Sequence, residues 1–203
     1  MYAVGHFALG YLTGKIAAKS LDIKINLPLL FLASVLPDID LVIPGLEHRG
    51  PLHSVILFCL IFLPIFVIYR KRAVPYFLAL IQHIIIGDYL IGGNLQLLWP
   101  LTTNKYGFQI EITSLINIAL EWGLFLISIT FMIVTFDMFF LFNPHQSNKI
   151  LVMPILTVLL PTLISYPLYV PLALLIPHLV YLILFGISIL IDCKIIFTKT
   201  EKA

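Results

Sequence analysis

Charged residues are scarce in this sequence. Asp, Glu, Lys and Arg make up 11% of the 203 residues, whereas about a quarter of a soluble globular domain is charged. The net charge is only +2 and the longest basic run is Arg70–Arg72, so no nucleic-acid partner is expected. Hydrophobic residues make up 61%, and the mean hydropathy is +1.07. These values are typical of an integral membrane protein, whose main partner is the lipid bilayer.

Cysteines, a basic leader, linkers and repeats are also rare or missing. The two cysteines, Cys59 and Cys193, lie in apolar segments and offer no disulfide framework. No basic residues precede the first apolar segment, so a secretory signal peptide is not expected. Without a linker or a low-complexity stretch, the sequence predicts one membrane domain with two parts, residues 1–102 and 103–203.

Long apolar runs dominate the sequence and predict helices. A helix needs about 20 apolar residues to cross a bilayer, and the runs do not alternate as β-barrel strands would. We expect an all-α fold, an integral membrane helical bundle of about five to seven helices, with the runs from residues 52 and 113 as the most secure spans. Tyr166-Pro167 and Pro171 are expected to divide the last apolar stretch into a hairpin. The candidate helices are 2–20, 27–45, 52–69, 74–99, 113–142, 149–170 and 172–193.

Lysine and arginine residues give the bundle a predicted orientation. If all seven candidate helices cross the bilayer, nearly every Lys and Arg lies on one side, and the other side keeps only Arg49 and Lys105. The positive-inside rule then places the C-terminus in the cytoplasm and the N-terminus outside. The predicted location is the cell (cytoplasmic) membrane. Nothing in the sequence indicates an oligomeric state.

Ionisable residues inside apolar runs are concentrated in the first half of the chain. Such a side chain is costly in a span, so it is usually paired, ligating or facing water. His83 and Asp88 share one apolar run that has no Lys or Arg to pair with them. In the predicted topology seven such groups meet in the outer half of the membrane, which suggests a metal-site half, 1–102, and a scaffold half, 103–203. The seven are His6, Asp38, Asp40, His48, His53, His83 and Asp88.

These residue types favour a metal site. Neutral imidazole and carboxylate oxygens are good ligands for Zn²⁺, and carboxylates also suit Mn²⁺ or Mg²⁺. Each residue also has a simpler interpretation: an interfacial histidine, a Pro-Asp turn, an arginine that reaches the headgroups or a hydrogen-bonded histidine inside the bundle. Two other classes of protein stay open, namely a metal-ion or proton transporter and a non-catalytic structural membrane protein.

Several short motifs follow one another in a characteristic order. "GH" occurs near the start, "LPDID" spans 36–40, "HRGPLHS" spans 48–54, and an apolar helix with His83 and Asp88 precedes "LLWPL". Together these motifs resemble the YdjM family of predicted membrane-bound metal-dependent hydrolases over residues 1–102. More distantly, the chain is similar to zinc-dependent phospholipase C and P1 nuclease, which are all-helical phosphodiesterases with a zinc cluster.

The resemblance implies a zinc site of one to three ions and a hydrolytic reaction. Water activated by zinc would attack a phosphodiester or lipid-like substrate near the outer membrane face. Asp38 or Asp40 would position or deprotonate that water. The metal and Arg49 would hold a phosphoryl oxygen, since a guanidinium matches phosphate geometry. His48 would either protonate the leaving group or complete a ligand set. The implied metal ligands are His6, Asp38, His53, His83 and Asp88.

Two positions depart from the family pattern. Leu52 stands where the family has threonine, which removes a hydroxyl but no ligand. His83 and Asp88 are five residues apart, whereas the family spaces this pair by four. In an α-helix five residues turn about 140° past a full circle, so the two side chains would diverge. A one-residue π-bulge near Ile86-Gly87 would restore their convergence, and without it Asp88 would ligate differently or not at all.

The second half of the chain offers fewer candidates. Glu111 and Glu121 are placed to support the metal ligands from behind, and Glu121 is the more interesting because it lies within an apolar run. Asp137, His145 and His178 are isolated in the sequence and are expected to be structural or interfacial.

Overall fold

The chain folds into a bundle of α-helices. The computed structural model describes residues 1–144, 146–164 and 169–200. The prediction of an all-α bundle of about five to seven helices is confirmed, because these residues contain seven helices of nine residues or more. They are α1 (Ala3–Ser20), α2 (Leu27–Val35), α3 (Val55–Tyr69), α4 (Val74–Gln82), α5 (Leu115–Val134), α6 (Ser147–Leu163) and α7 (Leu175–Thr200).

α2 and α5 both end earlier than the sequence predicts. α2 ends at Val35 instead of residue 45, because Pro37 has no N–H with which to continue the helical hydrogen bonds. A 3₁₀ helix, Leu36–Val42, follows it. α5 ends at Val134 instead of residue 142, and Phe136 just beyond it takes a positive φ of 61°. As a result Asp38 and Asp40 lie after α2, and Asp137 lies after α5, instead of inside these helices.

The predicted division of the last apolar stretch falls partly outside the described residues. Tyr166-Pro167 belongs to the part that the structure does not describe. α6 ends at Leu163. The chain re-enters helical structure through a 3₁₀ turn, Leu172–Leu174, which has Pro171 as its N-cap and leads directly into α7.

Two helices among the described residues are long and apolar enough to cross a membrane. They are Leu115–Val134, with 20 residues, and the stretch Leu172–Cys193, with 22. The sequence also predicts α3 as a secure span, but α3 has 15 residues. At 1.5 Å per residue it is about 22 Å long, short of a hydrocarbon core of about 30 Å. The predicted orientation depends on seven full crossings, and it stays a prediction.

α1 lies at the centre of the bundle. It packs against α2, α4 and α5, and Phe7 and Tyr11 on it are fully buried. The ring of Phe7 packs against Phe31 of α2 and Tyr181 of α7, with ring centroids 6.0 and 5.2 Å away. Because neighbouring helices cover α1 on most sides, His6 in its first turns is buried as well.

A long loop closes the end of the bundle where α4 ends and α3 begins. The sequence predicts a helix as far as residue 99, but helical structure gives way at Gly92 and Gly93, which both have positive φ. The Ser54 hydroxyl caps α3 by accepting from Leu57 N and also donates to Trp99 O. Val55 N donates to Leu97 O at 3.0 Å. These bonds hold the start of α3 against the loop that follows α4.

A polar cluster joins α1 to the segment after α5. The Asp137 carboxylate accepts hydrogen bonds from the Tyr11 hydroxyl at 2.7 Å, the Thr135 hydroxyl at 2.9 Å and the Lys15 ammonium at 2.7 Å. The structural role that the sequence predicts for Asp137 is therefore consistent with its contacts.

We expect Asp137→Ala to lower the free energy of unfolding by about 1–3 kcal/mol, because three partly buried donors lose their acceptor. Thermal or denaturant unfolding in detergent measures the change. Glu111→Ala removes an exposed carboxylate and should shift the free energy by less than about 0.5 kcal/mol. Equal stability of the two variants would contradict a structural role for this cluster.

Candidate metal centre

Four candidate ligand atoms converge inside the bundle. Asp38 lies on the 3₁₀ helix after α2, His53 lies just before α3, and His83 and Asp88 follow α4. His53 Nε2 is 3.2 Å from Asp88 Oδ2, 3.5 Å from Asp38 Oδ1 and 3.4 Å from His83 Nε2. His83 Nε2 is 3.3 Å from Asp38 Oδ1 and 3.6 Å from Asp88 Oδ2. We refer to these four residues as the tetrad, and all four are buried.

The spacing within the tetrad matches a tetrahedral metal site. Zinc binds nitrogen and oxygen ligands at about 2.0–2.2 Å, so tetrahedral ligand atoms lie about 3.3–3.6 Å from one another. Five of the six separations in the tetrad lie between 3.2 and 3.6 Å. The sixth, between the two aspartate oxygens, is within 4.8 Å. The four atoms therefore surround a space of the size that one small cation requires.

A π-helical turn brings His83 and Asp88 together. The segment His83–Asp88 is a π-helix that continues α4. A π-helix pairs residues five apart, so it stacks two side chains that an α-helix would separate by about 140°. The predicted bulge near Ile86-Gly87 is confirmed, although it extends over six residues. Glycine is required at position 87, since a Cβ there would collide with the His6 ring.

The second ring nitrogen of each tetrad histidine faces an oxygen acceptor. His83 Nδ1 is 2.8 Å from the carbonyl oxygen of Ser34. His53 Nδ1 is 3.2 Å from Asp40 Oδ2. A carbonyl oxygen only accepts, so a neutral His83 carries its ring proton on Nδ1 and presents the Nε2 lone pair to the centre of the tetrad, as metal-binding histidines do. His53 Nδ1, in contrast, is buried and has no hydrogen-bond partner among the described residues.

Asp40 and His48 form the outer edge of the site. His48 Nδ1 is 3.0 Å from Asp40 Oδ1, and Arg49 N donates to Asp40 Oδ2 at 3.2 Å. Burial raises the pKa of the Asp40 carboxyl, but the hydrogen bond with His48 and the adjacent His53 imidazole outweigh burial and lower that pKa below its ordinary value. Asp40 is therefore a carboxylate at neutral pH. With His53, these two residues make a second group of candidate ligands.

His6 and Arg49 meet the opposite oxygen of Asp88. His6 Nε2 is 3.4 Å from Asp88 Oδ1, and the His6 ring stacks on His83 with centroids 3.6 Å apart. Arg49 Nη2 and the Met1 amine also donate to this oxygen, at 3.3 and 2.9 Å. The Asp88 carboxylate therefore bridges the tetrad and a second set of groups.

Arg49 also holds the turn after the π-helix. Its guanidinium donates to the carbonyl oxygens of Ile91 and Gly93 at 3.3 and 3.2 Å. Gly92, with φ of 92°, lies where a Cβ would overlap the guanidinium. The Arg49 Nε is buried and has no hydrogen-bond partner among the described residues. The predicted contact of Arg49 with a phosphoryl oxygen stays a prediction.

The chemistry of the donors fits a divalent cation. Two carboxylate oxygens and two imidazole nitrogens converge in a buried space, an arrangement that a positive charge between them would stabilise. Asp88 Oδ2 and both ring nitrogens of His6 are buried without a hydrogen-bond partner. Nitrogen and oxygen ligands in tetrahedral array are typical of zinc. The tetrad is therefore a candidate metal site whose ion remains to be identified.

The structure brings all seven predicted groups together. Ser34, whose carbonyl orients His83, is missed by sequence reasoning because a backbone oxygen leaves no signature in the residue pattern. Glu121 is buried, but it accepts from Tyr2 N at 2.6 Å and Gly5 N at 3.2 Å. It therefore caps α1, which carries His6, and supports the site through that helix. Glu111 is exposed, and His145 lies outside the described residues.

The fold and the site define a class: an all-α membrane protein with a buried histidine–aspartate centre that could hold metal. The sequence model of the YdjM inner membrane protein family matches residues 1–169, and the chain belongs to this family. The match extends well beyond residues 1–102, on which the motif resemblance rests. Searches of curated proteins and of solved structures found no match.

We expect His53→Ala and His83→Ala to abolish metal binding, because each removes one of four converging ligands. Purified wild-type protein should hold about one zinc ion per chain or more by elemental analysis, and each variant less than about a tenth of that. His178→Ala is the matched control. His178 is a buried histidine whose Nε2 lies 2.9 Å from Leu159 O, away from the tetrad. Wild-type protein without stoichiometric metal would contradict the assignment.

The π-helical turn allows a second test by deletion. Removing Ile86 should turn the π-helix into an α-helix with His83 and Asp88 four residues apart, so zinc content should be retained. Removing Leu78 from α4 should rotate the two ends of the helix by about 100° relative to each other and reduce zinc content. The two deleted residues, Leu78 and Ile86, have similarly exposed side chains, at about 40%. Equal loss of zinc in the two deletions would contradict the proposed role of the bulge.

Proposed function

We propose that this protein is a membrane-embedded zinc-dependent hydrolase that acts on a phosphodiester or lipid-like substrate near a membrane face. The observation that carries the proposal is the tetrad, whose ligand atoms have tetrahedral spacing and lie beside a partly exposed acid–base pair. A site that only stabilises the bundle would not need this second pair. Zinc in such a site supplies Lewis acidity and an activated water.

Asp40 and His48 are the groups we assign to proton transfer. Asp40 Oδ1 contacts His48 Nδ1 at 3.0 Å, and Asp40 Oδ2 lies 3.2 Å from His53 Nδ1. The His48 side chain is 26% exposed, whereas the tetrad is buried. Because Nδ1 of His48 faces Asp40, its Nε2 is left to exchange a proton with a bound substrate. This arrangement supports His48 as the acid that protonates the leaving group.

A cavity beside His48 offers a place for the substrate. It has a volume of about 330 Å³ and extends from Asp40 and His48 to the loop 41–46. Val42, Ile43 and Leu46 in this loop are each about 40% exposed. Apolar side chains around a polar floor suit an amphiphile, with its polar group at His48 and its apolar part against the loop.

Asp38 and Arg49 complete the assignment. Asp38 Oδ1 lies near both His53 and His83. In this proposal His53, His83 and Asp88 would hold the zinc, and Asp38 would orient a water at its open fourth position. Arg49 holds Asp88 in place and has a buried, unpaired Nε. In this proposal the guanidinium positions the ligand set and neutralises negative charge that develops on the substrate.

A transporter is the second candidate, since transporters also keep histidine and aspartate inside a bundle. Two observations favour a site on one side instead. His6 and Lys15 on α1 are nine residues apart, about 13 Å, and buried Phe7 and Tyr11 lie between them. The polar cluster around Asp137 has its own partners and is not linked by hydrogen bonds to the tetrad within the described residues.

Hydrolysis by zinc-loaded protein tests the proposal. Wild-type protein in mixed micelles should cleave bis(p-nitrophenyl) phosphate or a fluorogenic phospholipid. His48→Gln should lower kcat about 100-fold or more on the phospholipid, whose alkoxide leaving group needs a proton, and much less on bis(p-nitrophenyl) phosphate, whose p-nitrophenolate leaves without one. The zinc of the tetrad should be retained, because His48 is not in the tetrad. Asp22→Asn, at an exposed position, is the control and should keep full activity.

Three outcomes would count against this assignment. Zinc-loaded wild-type protein that hydrolyses neither probe would contradict the hydrolase proposal. Full activity in His48→Gln would contradict the role of His48 while leaving the zinc site intact. Movement of zinc or protons across proteoliposomes, blocked by His53→Ala, would favour the transporter.

A further inference from the structure

A second cavity lies between α2, α3 and α4, apart from the candidate metal centre. Its volume is about 520 Å³, within the range of ligand pockets. Most of its walls are apolar, and of the described residues that line it none is acidic. The apolar lining residues are Leu29, Leu32, Ala33, Leu36, Ile61, Phe62, Ile65, Ala73 and Leu80.

Two cations and two phenol groups lie at one end of this cavity. Lys24 and Arg72 line it together with Tyr69 and Tyr76, and both cations are exposed. Neither cation forms an ion pair with a described residue, whereas Lys15 and Lys105 do. This end of the cavity is therefore positively charged, and its two cations form no ion pair with the residues that the structure describes.

The loops that carry these cations are held in place. Lys71 Nζ donates to Leu21 O at 3.3 Å, which joins the turn after α3 to the loop after α1. The Tyr76 hydroxyl accepts from Asn26 N at 2.8 Å. Because both loops are fixed to neighbouring elements, the cationic end of the cavity is organised before a ligand arrives.

The dimensions suit an acyl chain. On α3 the lining residues run from Ile61 to Tyr69, eight residues or about 12 Å along the helix. Ile61 and Leu29 are 44% and 38% exposed, so the apolar part opens on the outer surface of the bundle. In a membrane protein this surface faces lipid, and basic pockets between helices near the headgroups bind anionic lipids.

We propose that this cavity binds one anionic phospholipid, with an acyl chain between α2, α3 and α4 and its phosphate at Lys24 and Arg72. We choose an anionic ligand because of charge complementarity. Lys24 and Arg72 attract a phosphate, and none of the described lining residues is acidic and would repel it. This site is independent of the proposed hydrolase activity, because none of its lining residues belongs to the candidate metal centre.

Native mass spectrometry of the full chain in detergent tests the proposal. Phosphatidylglycerol and phosphatidylcholine with the same acyl chains are titrated separately. Wild-type protein should bind one phosphatidylglycerol more tightly than phosphatidylcholine. Each removed cation should weaken phosphatidylglycerol binding about fivefold, so Lys24→Gln/Arg72→Gln should weaken it about 25-fold.

Two further variants separate the cavity from general surface charge. Lys19→Gln/Arg70→Gln removes the same charge from exposed residues outside the cavity and should weaken binding at most about twofold. Leu32→Trp fills the apolar part and should weaken binding of both lipids at least about fivefold. Size-exclusion chromatography confirms that each variant is folded.

Several results would overturn the proposal. They are equal affinity of wild-type protein for the two lipids, equal losses in the two double variants, and unchanged binding in a folded Leu32→Trp variant. If Leu32→Trp does not fold, the comparison of the two double variants decides alone.

Discussion

Asp88 reaches His53 and His83 because the helix after α4 is wound as a π-helix for one turn. This turn determines much of the surrounding structure. It places one oxygen of Asp88 in the tetrad and presents the other to His6, Arg49 and the Met1 amine. It also places Gly87 against the His6 ring, where any side chain would collide. The central helix α1 therefore packs against α4 at the point where α4 departs from regular α-helical geometry.

The charged and polar groups of the site are costly to bury, and the surrounding contacts offset that cost. Ser34 O orients His83, Asp40 lies beside His53, and the charge of Arg49 balances that of Asp88. Each contact comes from a different segment, so the ligand positions depend on how α2, α3 and α4 are packed. A cation in the tetrad would relieve the remaining repulsion among four acceptor atoms. Metal binding and stability are therefore expected to be coupled in this protein.

The polar and apolar groups occupy different levels along the bundle. At one end, the loop after α4 and the cap of α3 enclose the tetrad. Further along α1, Phe7 and Tyr11 form an apolar layer with α2 and α7. Lys15, which pairs with Asp137, follows Phe7 and Tyr11 along α1. The cationic end of the second cavity lies at the end of α3 that is farther from the tetrad. A one-sided chemical site and a separate lipid contact are both compatible with this arrangement.

The sequence by itself determined the helical class, the membrane family and the residues that converge. These conclusions depend on local composition: the apolar runs are longer than strands, and a few ionisable residues lie within them. It also indicated the π-bulge, because five-residue spacing conflicts with α-helical geometry. Only the tertiary structure decided that Glu121 caps α1, that Ser34 O orients His83 and that Asp40 lies beside His53. These features depend on backbone atoms and on contacts between segments up to 119 residues apart, which no local pattern encodes.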